Sequence, residues 1–511
     1  ESIGVVSTSG FNINIRESNS LTAEVGSQNI PGFYSLSNSG QQPQASSLRS
    51  TRKLYGIFNT TTFDLKNQLF LTGNIRNDWY STLPLGNNSI LYGGVNTSWV
   101  FTRTFDGLTS FMNYGKLRAG YGSTGVDTSP YLVNSVFVPG SADNQGFANL
   151  NFPLGGVNAY EVGNRAANSN LKPETRKEFE VGAELEFFSN RLGIDFTYYD
   201  SKVENQILAL PFAPSTGYTS QQANVGTISN KGIEALVTIT PIKTNNFTWR
   251  ASINFATNNS KLEELDDRID QVSLAGLSTT SLLAREGQTI GLIEGSVPAR
   301  TDSGQIIVDS NGVPIAASEK EVYGDTQYDY TLGFSNNLSY KNLSLDFTLD
   351  SRQGGLMFSR TASIMRFTGN STVTMYNDRR PFVVSNSVQQ VLNDDGSITY
   401  VENSTPVDRE HQDDYYRAEA LNRGEVIDKS FVKLREVVIS YSIPSKLLDK
   451  TFMDALSFSV IGRNLFVWTP EDNQFIDPEV STFGTGLSGQ FGEFGANPST
   501  RSVGFSIKTK F

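Results

Sequence analysis

Apolar and polar residues take turns along this chain, and that alternation limits what it can become. Phe179, Val181, Ala183, Leu185 and Phe187 are interleaved with Glu178, Glu180, Glu184 and Glu186. Successive side chains of a strand point to opposite faces, so one face is greasy and the other carries carboxylates. A helix would scatter the same residues around its circumference. The pattern returns where Phe247, Trp249, Ala251, Ile253 and Phe255 alternate with Thr248, Arg250, Ser252 and Asn254. It returns again where Leu343, Leu345, Phe347 and Leu349 alternate with Ser344, Asp346, Thr348 and Asp350. No long segment keeps the i, i+3, i+4, i+7 stripe of an amphipathic helix.

A half-buried soluble sheet accounts for any one of these strands. The connections point elsewhere. Phe188 to Arg191, Lys341–Asn342 and Lys243 to Asn246 read as tight turns. Between them come long polar insertions at roughly 17–52, 123–175, 204–230, 259–329, 352–430 and 466–501. Short turns on one side and long loops on the other are the pattern of outer-membrane barrels. Compact soluble domains rarely carry so many long loops. The expected fold is therefore all-β, a transmembrane antiparallel β-barrel wall of about 14 strands. The first strand lies near 5–16 and the last at 502–511. With the last strand ending on the short-turn side, the first must run toward the long loops. Glu180, Glu184, Asp195, Glu234, Asp346 and Asp350 are then expected to face the lumen, and the interleaved apolar residues the lipid. Trp79, Tyr80, Trp99, Tyr198, Tyr199, Trp249 and Trp468 fit an interfacial girdle.

Composition narrows the classes further. The same texture runs through all 511 residues, of which 38% are apolar, and no linker divides them. A net charge of −11 leaves no basic stripe to neutralise phosphates, so nucleic acid is not an expected partner. The absence of Cys excludes a disulfide scaffold and thiolate metal sites. No run of about 18 apolar residues exists, which excludes a transmembrane helix and says nothing against barrel strands. No signal peptide is visible at Glu1, so the chain is expected to be mature or to begin partway through a longer one.

Motifs for chemistry are scarce. Gly120-Tyr121-Gly122-Ser123-Thr124-Gly125 spells G-x-G-x-x-G, but Val126-Asp127-Thr128-Ser129-Pro130 follows where a dinucleotide site needs a helix. Asp302-Ser303-Gly304, Asp309-Ser310-Asn311-Gly312 and Asn393-Asp394-Asp395-Gly396 read as hairpin turns, without the spacing of a calcium-binding EF-hand. His411 is the only histidine, so no His-based triad or zinc cluster can be assembled. Enzyme activity and a cofactor are not expected. Calcium in an outer loop such as Asp472 to Glu479 stays open.

The last residues bring in a resemblance. Thr500 to Phe511, with Val503, Phe505, Ile507 and a terminal Phe511, resembles the closing strand of outer-membrane barrels and the signal read by their assembly machinery. Further blocks, in order, resemble the SusC/RagA type of TonB-dependent transporter. They include Asn170-Leu171-Lys172-Pro173-Glu174, Asn230-Lys231-Gly232-Ile233-Glu234 and Arg285-Glu286-Gly287-Gln288-Thr289-Ile290-Gly291. Arg352-Gln353-Gly354-Gly355, Asp378-Arg379-Arg380-Pro381, Lys433-Leu434-Arg435-Glu436 and Gly462-Arg463-Asn464-Leu465-Phe466 follow. An Asn-Pro that the family often has near Thr326 is missing.

The resemblance implies a barrel of about 22 strands, an N-terminal plug inside it, and a short segment that engages TonB. This chain would be the C-terminal portion of that barrel, without the plug. The resemblance also implies a SusD-like surface lipoprotein as lid, and import of a large oligosaccharide or peptide. Substrate contact would then fall to loop aromatics, with Tyr218, Tyr328, Phe475, Phe483 and Phe491 as candidates by position. A siderophore- or cobalamin-type receptor, a structural or docking barrel within a larger surface complex, and a soluble adhesin are the competing readings.

Overall fold

The computed structural model describes residues 3–139, 141–143, 149–151, 155–484 and 486–511. Among these, one antiparallel path of strands forms the wall. Its members are β1 (Ile3–Glu24), β2 (Gln44–Leu65), β3 (Leu69–Tyr80), β4 (Ser89–Trp99) and β5 (Met112–Val126). Then come β6 (Glu174–Phe187), β7 (Leu192–Pro211), β8 (Ser220–Lys243), β9 (Phe247–Leu265) and β10 (Tyr330–Tyr340). The path closes with β11 (Leu343–Gln353), β12 (Phe431–Ser442), β13 (Ala455–Trp468) and β14 (Ser502–Lys510). Each strand pairs with the next, so the order in the sheet is the order in the chain. The path agrees with the expected number of strands and with the expected direction of the first.

Alternation becomes two faces because the registers align it across strands. Trp249, Ile253 and Phe255 of β9 stand opposite Leu338, Phe334 and Leu332 of β10. The row continues to Leu345 and Leu349 of β11 and to Ile439 and Leu434 of β12. Ile439 faces Val460 of β13, which faces Phe505 of β14. Ile439, Val460 and Phe505 are 49%, 57% and 83% exposed. A contiguous apolar face of this kind needs lipid or a partner to cover it.

The hairpins differ from expectation at two places. The ladder between β1 and β2 runs unbroken from Ile3↔Leu65 to Glu24↔Gln44. Segments read as loops at 17–52 and 204–230 are thus strand at both ends, and the connections shrink to 25–43 and 212–219. Pairing persists there because a ladder satisfies backbone N–H and C=O groups whether or not the side chains alternate. Strands of 22 and 24 residues far exceed the roughly 10 needed to cross a bilayer. The lengthening also leaves Tyr198 and Tyr199 in the interior of β7 and not at its end.

The chain divides into two compact units, one comprising Glu1–Trp99, Arg118–Phe179 and Ser201–Ile228, the other Val100–Leu117, Glu180–Asp200 and Ser229–Phe511. Each has a buried apolar core. The first unit packs Tyr80, Leu83, Leu132 and Leu171 together. The second packs Leu282, Ile293, Phe358, Val426 and Phe491, all at most 2% exposed. The residues of the second core come from the long connections, which fold into small sheets. Gln271–Leu277, Thr280–Arg285, Leu292–Pro298 and Ala316–Asp325 make a four-stranded one. Leu356–Ser359 is flanked by Val426–Asp428 and Gly492–Glu493 in another. The Asn393–Gly396 turn joins an antiparallel pair, as expected, with Gly396 at φ 80°. The G-x-G-x-x-G stretch lies wholly inside β5. Gly94 of β4 lets the two strands come close there: a Cβ on it would stand 2.8 Å from the Tyr121 carbonyl and 2.9 Å from Gly122 Cα.

Candidate functional site

The second unit carries a polar face opposite the apolar one. Arg250 of β9 stands across from Asn337 of β10, which stands across from Asp346 of β11. Asn337 Nδ2 donates to Asp346 Oδ1 at 2.6 Å. In the next row Ser252, Ser335, Thr348 and Glu436 follow one another across four strands. Arg463 of β13 pairs with Glu436 at 2.8 Å, and Lys116 of β5 with Glu184 of β6 at 2.6 Å. A recess of about 370 Å³ opens on this surface, lined by Thr238, Arg250, Ser252, Asn337, Asp346 and Glu436. Of the carboxylates expected on the lumen face, Glu184, Asp346 and Asp350 make ion pairs or hydrogen bonds within it. Glu180 and Asp195 share its parity, and Glu234 lies further along, at the end with the long connections.

At that end the wall is tied to its last connection by charge. The ladder between β11 and β12 slips between Thr348 and Leu349, so Arg435 is an extra residue. Such a bulge places two successive side chains, Arg435 and Glu436, on the same face. Lys433 Nζ reaches Asp477 and Glu479, each at 2.5 Å. Arg435 pairs with Asp350 and donates to Glu479, and Arg352 reaches Glu479 at 2.9 Å. The ring of Phe431 lies beneath all three cations, 4.8 to 5.6 Å from its centroid. Burial alone would raise the Glu479 pKa. The hydrogen bonds from Arg435 and Lys433 outweigh it and hold the group at about 2. Asp477 and Glu479, in the stretch considered for calcium, thus have three cations as partners.

Beside this network lies a cavity of about 520 Å³. Tyr199, Glu234, Asn258, Gln327, Tyr328, Tyr330, Arg352, Lys429 and Gln490 are among its walls. Tyr199 Oη donates to Asn258 Oδ1 at 2.9 Å. Gln327 is fixed on both sides of its amide: Nε2 donates to the Ser260 carbonyl at 2.6 Å, and Oε1 accepts from Ser260 N at 2.8 Å. Lys429 is 6% exposed, with its ammonium 4.1 Å from the centre of the Tyr328 ring. Sequence reasoning found Tyr328 and missed Lys429, Arg352 and Tyr199. Nothing local marks Lys429 among the loop lysines, because only the folded connections bury it.

The other loop aromatics divide. Tyr218 sits half-buried in the 212–219 turn. Phe475 packs against Met357, Ala362 and Ile427. Phe491 is fully buried and stacks on Phe358 with centroids 5.0 Å apart, while Phe483 meets both edge-on. Phe483 and Phe491 therefore hold connection against connection, and Phe491 presents no surface to a solute. His411 pairs with Asp408 at 2.8 Å, and that hydrogen bond raises its pKa. Val503, Phe505, Ile507 and Phe511 are 58% to 83% exposed, the first three on the apolar face, and Phe511 stacks on Phe452.

A family model described as TonB dependent receptor-like, beta-barrel, matches residues 4–280. The chain belongs to this family. Membership places the apolar face in an outer membrane, with the turns periplasmic and the long connections outside the cell. TonB-dependent receptor P3 of Formosa agariphila is 26% identical over 94% of this chain and 48% of its own length. TonB-dependent receptor SusC of Bacteroides thetaiotaomicron is 24% identical over 60% of this chain and 32% of its own. The chain spans about half the length of the curated relatives it matches over most of its own length. Among solved structures, that of the RagAB peptide transporter superposes with a TM-score of 0.75 at 17% identity. The superposition covers 100% of this chain and 54% of that one, so the receptor wall is shared in fold.

Proposed function

We propose that this chain forms the wall and outer mouth of a TonB-dependent importer. The reading is that a large nutrient, an oligosaccharide or a peptide, crosses the outer membrane of a Gram-negative bacterium through it. A SusD-like surface lipoprotein serves as the lid, and TonB supplies energy that the outer membrane lacks. The observation that carries the reading is the two-faced wall: one face of exposed Ile439, Val460 and Phe505, the other of Arg250, Asp346, Glu436 and Arg463 in hydrogen-bonded rows. The first solvates in lipid and the second in water, which is what a conduit for polar solutes requires. No catalytic step and no cofactor enter this reading.

The mouth cavity is where a solute would first meet the wall. Tyr199, Tyr328 and Tyr330 offer flat faces, and Arg352 and Asn258 offer directional hydrogen bonds. The test is genetic. The gene is deleted, then restored, and uptake of fluorescent oligosaccharide and peptide mixtures is followed with and without a protonophore. Import predicts uptake that needs both the gene and the proton gradient, and a lipoprotein that co-purifies in near-equal amount. Uptake of every probe undiminished by deletion would overturn the reading.

A further inference from the structure

We propose that the mouth cavity is a carboxylate-binding subsite, with Lys429 recognising the anion. This rests on the import reading and names the class of solute.

Lys429 lies just before β12, outside the wall strands, and is 6% exposed. Among the described residues its ammonium has no carboxylate within 4.0 Å and no hydrogen-bond acceptor; its backbone N–H alone is engaged, by the Gly355 carbonyl. Its one close partner is the face of Tyr328. A buried ammonium left without a paired counter-charge is costly, and an arriving anion would relieve that cost. Burial pushes the group down to about 8, opposed by Asp325 and reinforced by Arg352.

Arg352, Lys433 and Arg435 face Asp350, Asp477 and Glu479 in one network. Lys429 stands outside that network, with no ion pair among the described residues, on the wall of a cavity of about 520 Å³, within the roughly 300–1,000 Å³ of ligand sites. Glu234 and Glu479 in the same walls repel any anion, and a dianionic phosphate more than a singly charged carboxylate. A single carboxylate, with Tyr328 and Arg352 also in the walls, is therefore the group that suits this ammonium. Acidic sugars and acidic peptides share that group.

The experiment uses the receptor expressed from its whole gene and purified in detergent. Calorimetry compares trigalacturonate with galactotriose, and a Glu-containing pentapeptide with its Gln counterpart. At pH 7 at least one acidic probe is expected to bind about tenfold or more tightly than its neutral partner. Which acidic probe does so identifies the source of the carboxylate. Lys429→Met is expected to remove the preference and Lys429→Arg to keep it. The bound anion favours the protonated lysine, so binding near pH 8 takes up protons and weakens as pH rises toward 9.5. Equal binding of acidic and neutral partners in both pairs would overturn the proposal, as would a preference that survives Lys429→Met. Should Lys429→Met fail to fold, pH-independent binding by the parent protein would overturn it as well. Energised uptake of neutral probes alone would sink this inference and leave import standing, whereas uptake indifferent to gene deletion would sink import itself.

Discussion

Lys433 Nζ and Asp477 Oδ1 lie 2.5 Å apart, with only 5% and 8% of the two side chains exposed. The pair ties a wall strand to the connection that runs from β13 to β14. Removing one partner of a buried pair leaves the other charge uncompensated, at a cost of about 3–5 kcal/mol. Lys433→Met is therefore expected to release the 469–501 connection without unfolding the wall. Hydrogen exchange of that segment should speed up by on the order of 100-fold or more, while β9 to β11 keep their protection. Unchanged exchange in 469–501 would show that the pair does not hold it.

The same network gives the mouth a dependence on acidity. Glu479 has a folded pKa of about 2 against an ordinary value of 4.5. A depressed carboxylate contributes stability that is complete above its unfolded pKa and is lost as pH falls through the folded one. The connection is thus expected to stay docked at pH 5 and to loosen between about pH 4.5 and 2. Fluorescence of Trp468, at the end of β13, is a suitable reporter. A Glu479→Gln receptor should lose much of that transition and keep the part due to Asp477, whose pKa is also lowered because hydrogen bonds, that from Lys433 foremost, outweigh its burial.

How much of this was legible in the sequence depends on the range of each signal. The faces of Phe179 and Glu184 could be read because period two is a local property. The length of β1 could not, since its ladder with β2 continues where alternation stops, at Glu17 to Glu24. Strict alternation could not put both Arg435 and Glu436 on the polar face; the bulge at Arg435 does, where they meet Asp350 and Arg463. The core around Leu282, Phe358 and Phe491 joins connections far apart in sequence, and no short window contains it. Lys429 is distinguished by what those connections bury around it.

Asn336 is an amide on the apolar face. It is 6% exposed, and the indole of Trp249 donates to its Oδ1 at 3.0 Å, while its Nδ2 has no partner among the described residues. Trp249→Phe keeps an aromatic ring and removes the donor, leaving both ends of a buried amide unsatisfied, at a cost of about 1–3 kcal/mol. Asn336→Leu removes the amide and is expected to be neutral or stabilising. Urea unfolding of the receptor in liposomes measures both. Equal destabilisation by the two substitutions would mean that packing, and not the hydrogen bond, sets the value of this pair.

Phe505 and Ser506 are neighbours on β14 that test the faces directly. Phe505 continues the row of Ile439 and Val460, and Ser506 the row of Ser440 and Ser459, whose hydroxyls lie 2.8 Å apart. An Arg on the lipid face costs about 2–4 kcal/mol near the midplane and about 0–1 near the interfaces. Phe505→Arg is expected to lower the folded fraction of receptor refolded into liposomes, read as the heat-modifiable band on a gel. Ser506→Arg places the same charge on the polar face, in water, and is expected to fold like the parent. The reverse order would assign lipid to the wrong face of β14. Equal tolerance would place Phe505 near the interface, where its charge escapes to water, and the same substitution at Val460 would then carry the test toward the midplane.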